Sequence, residues 1–141
     1  MSKKSIIIII VCTLIFIAVS IATVHREPAI EDIHLSDTKI LSSEELALLD
    51  PPVFSKNTEN IYLILEVQYL VPEHEIIIIW ERYDQDKYIL VQQDTINPQK
   101  QGSGFITITL AKRNEAFPEG IYRVEAILDN RQRLVKNFEV N

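Results

Sequence analysis

An uncharged apolar run near the amino terminus constrains this chain more than any other feature. Residues 6–24 are 19 consecutive positions without a charged side chain, and 16 of them are apolar. An α-helix rises ~1.5 Å per residue, so the run spans close to ~30 Å, the thickness of a bilayer's hydrocarbon core. Lys3 and Lys4 precede the run, and basic residues mark the cytoplasmic side of membrane helices. We therefore expect residues 1–5 in the cytoplasm, a single-pass signal-anchor helix at residues 6–24, and an extracytoplasmic (periplasmic or extracellular) remainder.

A cleaved signal peptide is the alternative interpretation of the same run. Small residues with cleavage-site spacing occur at Ala18, Ser20 and Ala22. The run is nevertheless longer than the usual ~7–15-residue core of a signal peptide, which favours an uncleaved anchor. The only cysteine, Cys12, lies inside the run, so the rest of the chain has no cysteine with which to form a disulfide.

Length and charge exclude several functional classes. Of the 141 residues, 117 follow position 24, which is enough for one ordinary domain and excludes a multidomain enzyme. Those 117 residues contain 12 basic and 20 acidic side chains, and this acidic balance repels nucleic acid. No serine or cysteine stands in a recognisable nucleophile pattern with one of the three histidines. We expect no enzyme activity and no cofactor.

Residues 25–52 differ in composition from the segment that follows. They contain seven acidic and two basic residues, and their apolar residues are irregularly spaced. Ser42 and Glu45 have the spacing of a capping box, which satisfies two free backbone donors where a helix begins. Pro51 and Pro52 would end that helix. The pattern predicts an acidic stalk at residues 25–52 with one short helix at residues 43–49.

Residues 53–141 show the signals of β-strands separated by turns. Apolar residues alternate with polar ones, β-branched residues are frequent, and turn residues recur at short intervals without a long helix between them. This spacing predicts an all-β fold, an antiparallel sandwich of about seven strands. The predicted strands are 61–69, 76–83, 88–92, 105–110, 121–128 and 134–140, with an edge strand near 53–55.

Two features resemble immunoglobulin-like and fibronectin-type-III-like domains, which are common in exported bacterial proteins. Trp80 ends a hydrophobic strand, and the stretch Gly120, Tyr122, Val124 is similar to the tyrosine corner of those domains. The resemblance implies that the tyrosine hydroxyl bonds to a nearby backbone group. It also implies a structural role for all four residues, with Val124 where immunoglobulin domains have a cysteine. Residues 61–69 and 76–83 could be the second and third strands of such a domain or its first and second.

The alternation of side chains places several large apolar residues at outward-facing strand positions. If Trp80 and Tyr122 point inward, the neighbouring positions on three strands point outward and carry large apolar residues. In an immunoglobulin arrangement these strands share one sheet, so the outward-facing apolar residues would form a patch on its outer face. Monomers seldom expose such patches, so it is either a contact surface or is covered by the stalk helix. The candidate partner-binding residues are Ile77, Ile79, Ile127 and Val135.

Two other motifs favour structural interpretations. Glu73, His74 and Glu75 could ligate a metal, but alternation directs the histidine away from the two carboxylates, so a solvated turn is favoured. Trp80 could stack on a sugar, but it shares a face with apolar residues and is expected in the core.

The expected function is non-catalytic protein–protein interaction or scaffolding at the cell envelope, with a protein partner or a homo-oligomer and no nucleic acid. The alternatives are a carbohydrate- or ligand-binding module and a cleaved, secreted inhibitor or chaperone-like protein. Exposed aromatic side chains on one face would favour carbohydrate binding, and the residues to locate for this purpose are Tyr62, Tyr69, Tyr83 and Tyr88.

Overall fold

A computed structural model describes residues 26–39, 42–46 and 52–141, and within them the fold consists almost entirely of β-strands. Eight strands and one four-residue helix are present in this part of the chain. Their bounds are β1 Ala29–Ser36, α1 Ser43–Leu46, β2 Val53–Phe54, β3 Asn60–Leu70, β4 Ile76–Asp84, β5 Lys87–Ile96, β6 Gly102–Ala111, β7 Gly120–Leu128 and β8 Gln132–Val140.

The strands form two sheets that pack as an immunoglobulin-like sandwich. One sheet has three strands in the order β1-β3-β6, and the other has five in the order β2-β8-β7-β4-β5. All neighbours are antiparallel except β2 and β8, which are parallel. The predicted all-β sandwich is confirmed. Strand β1 precedes β3 and β4 in the sandwich, so these are its second and third main strands, and β4, β7 and β8 share a sheet as expected.

The domain begins earlier in the chain than predicted. Residues 25–52 were expected to be a stalk, but β1 pairs along β3 as a full member of the three-stranded sheet. The prediction failed because a β-bulge between Ile30 and Asp32 shifts the alternation by one residue. Ile30, Ile33 and Leu35 are therefore all buried despite spacings of three and two.

Side chains from β8 cover the outer edge of β1. The Gln132 side chain accepts a hydrogen bond from the Ile30 N–H at 2.8 Å and donates one to the Ile30 carbonyl at 2.7 Å. Lys136 points towards the interior, as its alternation with Phe138 predicts, and its ammonium donates to the Ile33 carbonyl at 3.2 Å. These bonds join the two sheets and occupy backbone groups that an edge strand otherwise exposes.

An aromatic cluster fills the core between the sheets. Phe138 stacks on Tyr122 with ring centroids 5.0 Å apart, and it meets Trp80 and Phe54 edge-on at 6.1 and 5.8 Å. Trp80 and Val124 are completely buried. Trp80 is thus a core residue as expected, and it offers no platform to a sugar.

The corner before β7 has the hydrogen bond that the resemblance implies. The Tyr122 hydroxyl donates to the Pro118 carbonyl at 2.6 Å, and burial raises the pKa of this phenol. Gly120 begins the strand at φ 140°, a conformation that side-chain-bearing residues rarely adopt. The structural roles expected of Gly120 and Tyr122 stay predictions that these two observations support.

The short helix begins with the predicted capping box. The Ser42 N–H donates to the Glu45 carboxylate at 3.2 Å, and the Glu45 N–H donates to the Ser42 hydroxyl at 3.3 Å. The described part of helix α1 spans Ser43–Leu46, and residues 47–49 of the predicted helix lie outside the described residues.

No helix in residues 26–39, 42–46 or 52–141 is long and apolar enough to cross a membrane. The predicted anchor at residues 6–24 lies outside the described residues.

Candidate functional site

The five-stranded sheet brings the four candidate partner-binding residues onto one face. Ile77 on β4 lies opposite Ile127 on β7. Two residues further along β4, Ile79 lies opposite Glu125 on β7. Glu125 in turn lies opposite Val135 on β8. Ile77 and Ile79 are half-buried, Ile127 is 8% exposed and Val135 is 49% exposed. The geometry is the one that alternation predicts, and it leaves the role of the face in binding to be tested.

The same face carries apolar residues that the sequence interpretation did not include. Tyr83, Leu90, Ile121 and Val53 are 43 to 61% exposed. Alternation from Ile79 along β4 would have found Tyr83, because positions 77, 79, 81 and 83 all point outward. Leu90 is harder to find, because a bulge between Trp80 and Glu81 shifts its pairing with β4. We call these residues, together with the four candidates, the apolar face: Val53, Ile77, Ile79, Tyr83, Leu90, Ile121, Ile127 and Val135.

Two ion pairs neutralise charge within the apolar face. The Arg123 guanidinium donates to the Glu81 carboxylate at 2.5 Å, and this hydrogen bond raises the pKa of Arg123. The Arg133 guanidinium lies 3.4 Å from the Glu125 carboxylate, and Glu125 is only 8% exposed. Glu139 on β8 lies opposite Ile121 and has no ion pair among the described residues, so this side of the sheet presents little net charge beyond one carboxylate.

An arginine covers one of the two tyrosine rings at the end of this face. The Arg123 guanidinium lies 3.8 Å from the centre of the Tyr88 ring, and the rings of Tyr83 and Tyr88 are 5.2 Å apart. Arginine and tyrosine side chains are enriched where proteins bind other proteins. The composition of this end resembles that of such an interface.

The outer face of the three-stranded sheet has a different character. Tyr62 lies on it half-buried, and Tyr69 lies at a bulge near its end, where the Arg26 guanidinium donates to its hydroxyl at 2.8 Å. The four tyrosines thus divide between two sheets and do not form one aromatic surface. His34 lies 3.7 Å from Asp32 and 3.8 Å from Glu66 on this side. Among the described residues, no three potential ligands come close enough to hold a metal ion.

The Glu73, His74 and Glu75 motif forms a turn that is tied to the β7–β8 hairpin. His74 Nδ1 lies 2.7 Å from Asp129 Oδ2, and the Glu75 N–H donates to Asp129 Oδ1 at 2.9 Å. Partial burial alone would raise the pKa of Asp129, but these hydrogen bonds and the nearby histidine lower it overall. The turn was predicted, whereas its partner Asp129 lies 55 positions away and was not.

A shallow cavity of about 440 Å³ opens beneath the loop between β5 and β6. Its apolar lining comes from the ends of the two sheets, and Lys100 is the one charged side chain among the described residues that line it. It contains no set of groups arranged for catalysis.

Comparisons with known proteins give a limited result. No protein-family model and no curated protein sequence matches the chain. Two matching solved structures are of the CARDB domain of a Pyrococcus furiosus protein. The crystal structure, described as a complex with di-metal ions, is 16% identical, covers 64% of this chain and 81% of that chain, and has a TM-score of 0.43. The solution NMR structure is 15% identical, covers 64% and 86%, and has a TM-score of 0.38. We draw no functional conclusion from them.

Proposed function

We propose that this chain is a non-catalytic, membrane-tethered module that binds a protein through the apolar face at the cell envelope. The supporting observation is that large apolar side chains gather on the outer side of the five-stranded sheet, with Tyr83, Leu90, Ile121 and Val135 all more than 40% exposed. Contiguous apolar patches on soluble domains mark contact surfaces more often than accidents of composition.

The chemistry of this face favours a protein over a carbohydrate. Sugar binding typically uses an open aromatic ring, and the ring of Tyr88 is already covered by Arg123 at 3.8 Å. The aliphatic residues of the face, such as Ile121 and Val135, present few polar groups to sugar hydroxyls. A protein surface with apolar side chains and a polar rim would complement both the aliphatic residues and the ion pairs.

The tether in this proposal is supported by the sequence of residues 6–24, whose length and lack of charge suit a bilayer. The two lysines before it favour an extracytoplasmic position for the sandwich. Fractionation of cells, followed by amino-terminal sequencing of the recovered protein, tests the tether. A mature amino terminus at or after residue 20 in a soluble fraction would contradict it and favour a secreted protein.

The test of the apolar face is a double variant, Ile77→Lys with Ile79→Lys, in the full chain. Both side chains are half-buried on the outside of the sheet, so the lysines can extend into solvent and the domain should stay folded. A control, Phe105→Lys with Thr109→Lys, places two lysines at exposed positions on the outer face of the other sheet. Affinity capture of the tethered protein from cells that also carry a differently tagged copy, with quantitative mass spectrometry, measures the partner.

We expect the β4 variant to lose its specific partner and the β6 control to retain it, while both keep the circular dichroism of the original protein. If both variants capture the same proteins as the original, the apolar face is not the docking surface. If the β4 variant unfolds and the control does not, the two isoleucines belong to the core.

A further inference from the structure

The corrected start of the domain leaves little chain between the sandwich and the predicted membrane helix. Strand β1 begins at Ala29, and only residues 25–28 separate it from the end of the apolar run. A fully extended chain covers at most ~3.6 Å per residue, so Ala29 lies within about 18 Å of the end of the run. A stalk of residues 25–52 would have allowed a distance on the order of 100 Å. In the tethered protein, the end of the sandwich where β1 begins therefore lies at the membrane surface.

The strands run from this tethered end of the sandwich to its opposite end. The β1 end of the sandwich also carries the turn at residues 71–75, the loop at 97–101 and the turn at 129–131, while Asn141 lies at the opposite end. Strands of nine or ten residues are about 30 Å long. A tether at the β1 end allows the sheets to stand upright on the bilayer, and in that orientation the apolar face looks along the membrane. A protein that covers it must stand beside it on the same surface.

We infer that the partner is a second copy of this chain held in the same membrane, an inference that rests on the proposed tether and docking face. Identical surfaces that meet face to face are related by a two-fold axis lying in the interface. An axis parallel to the strands keeps both amino termini at the same end, where both anchors can enter one bilayer. An axis across the strands would send the anchors in opposite directions.

Residues on the apolar face complement one another across such an axis. Suppose that the axis runs between β4 and β7. Each β4 residue has a paired residue on β7 of its own sheet, and across the axis it contacts that same β7 residue of the second copy. Ile77 then meets the second copy's Ile127, since these two positions are paired in the ladder. Glu81 likewise meets Arg123, so opposite charges face each other at that level. At the level of Glu125 an isoleucine meets a carboxylate, but Arg133 of the same chain already pairs with that carboxylate at 3.4 Å.

Charge and size both fit a second copy. The chain carries a net charge of −6, so two copies repel each other in most orientations, but the ion pairs of the apolar face leave it close to neutral. Four strands spaced ~4.8 Å apart and ~30 Å long give a face on the order of 600 Å² per copy. Twice that area is at the lower limit of a specific interface. Confinement of both copies to one membrane raises their effective concentration and compensates for the modest area.

Cross-linking of single-cysteine variants tests the inference in the full chain. Cys12→Ser removes the only native thiol, after which Ile121→Cys places one on the apolar face and Phe105→Cys places one on the other sheet. The two positions are 51% and 39% exposed, so they are matched in access. Packed sheets lie ~10 Å apart, which puts Ile121 of the two copies about 11 Å apart, within reach of a short bis-maleimide. The protein is reconstituted into lipid vesicles before cross-linking.

We expect a covalent dimer from Ile121→Cys and none above background from Phe105→Cys. Adding Glu81→Arg to the first variant should lower the dimer yield more than about tenfold, because like charges would then face each other across the axis and also within each copy, where Glu81 and Arg123 pair. Adding Arg123→Glu as well should restore it. Equal yields from both cysteines, or no dimer from either, would overturn the inference.

Two further outcomes separate this inference from the proposed function. If Ile121→Cys gives no dimer while the β4 lysine variant still loses a captured protein, the docking face stands and the second copy is wrong. If two differently tagged chains form the dimer only when reconstituted in separate vesicles that are then mixed, the copies meet across membranes and the common-membrane arrangement is wrong.

Discussion

The hydrogen bonds between Gln132 and Ile30 provide a direct test of whether β1 belongs to the domain. The Gln132 amide satisfies both backbone groups of Ile30 at the bulge, with distances of 2.8 and 2.7 Å. Gln132→Leu keeps a similar side-chain volume and removes both bonds. Gln132→Glu keeps the acceptor for the Ile30 N–H but places a second oxygen against the Ile30 carbonyl.

The expected cost follows from these two bonds. Each buried hydrogen bond contributes about 0.5–1.5 kcal/mol net, so Gln132→Leu should reduce the free energy of unfolding by about 1–3 kcal/mol. For a domain of about 100 residues this lowers Tm by roughly 5–15 °C. Gln132→Glu should cost at least as much at neutral pH, because two acceptors repel each other. Its defect should shrink below about pH 4, because a protonated carboxyl can donate to the carbonyl, and it should grow as pH rises through the unfolded-state pKa of ~4.3.

Thermal unfolding of the full chain in detergent, followed by circular dichroism between pH 3 and 7, measures these effects. Gln93→Leu and Gln93→Glu are matched controls, because Gln93 is exposed on β5 and its side chain makes no hydrogen bond within the described part of the chain. The controls should unfold within about 0.5 kcal/mol of the original protein. If the Gln132 variants match the original instead, the side chains of β8 do not hold β1, and β1 depends on its pairing with β3 alone.

Three further predictions concern stability. Tyr122→Phe removes a 2.6 Å hydrogen bond to a backbone carbonyl and should cost about 1 kcal/mol in urea unfolding, whereas Tyr62→Phe, whose hydroxyl makes no hydrogen bond within the described residues, should cost less than half of that. The pKa of Asp129 lies below its ordinary 3.8, so its stabilising contribution is present above that pH and is lost as pH falls through the lowered pKa. Asp129→Asn should therefore flatten the loss of stability in acid, and equal acid sensitivity would contradict this assignment. Gln85 and Asp86 adopt φ values of 47° and 65°, so Gln85→Asn with Asp86→Gly should raise the free energy of unfolding by about 1 kcal/mol, and an unchanged denaturation midpoint would contradict the strain.

Alternation along the strands predicted most of the sandwich. It placed Ile76 and Trp80 inside and Ile77 and Ile79 outside, and the structure agrees. It failed wherever a bulge inserts a residue, as in β1 at Ile30 and in β5 opposite Trp80. A bulge changes which face each later residue occupies, and one sequence alone does not mark where it occurs. This is why β1 was assigned to a stalk.

The contacts of the candidate site depend on strand register, which alternation does not provide. The sequence places Ile127 and Val135 on an outer face, but only the pairing of β7 with β8 shows that Arg133 reaches Glu125. Similarly, the contact of Arg123 with Tyr88 joins β7 to β5 across the intervening β4. Sequence periodicity therefore identified half of the apolar face, and the ion pairs that neutralise it required the fold.

The placement of β1 also changes where the negative charge of the protein lies. Part of the acidity of residues 25–52 belongs to the sandwich, because Glu31 and Asp32 are exposed on β1. Together with Glu66 on β3 they give the three-stranded sheet three acidic residues and no lysine or arginine. Even with Arg26 against Tyr69, that face carries a net negative charge and repels the same face of another copy, whereas the ion pairs of the apolar face neutralise most of its charge. The two outer faces thus differ in a way that directs self-association to the five-stranded sheet. High salt screens this repulsion, so copies should then also associate through the three-stranded sheet. Cross-linking of the Phe105→Cys variant at high salt should detect that association.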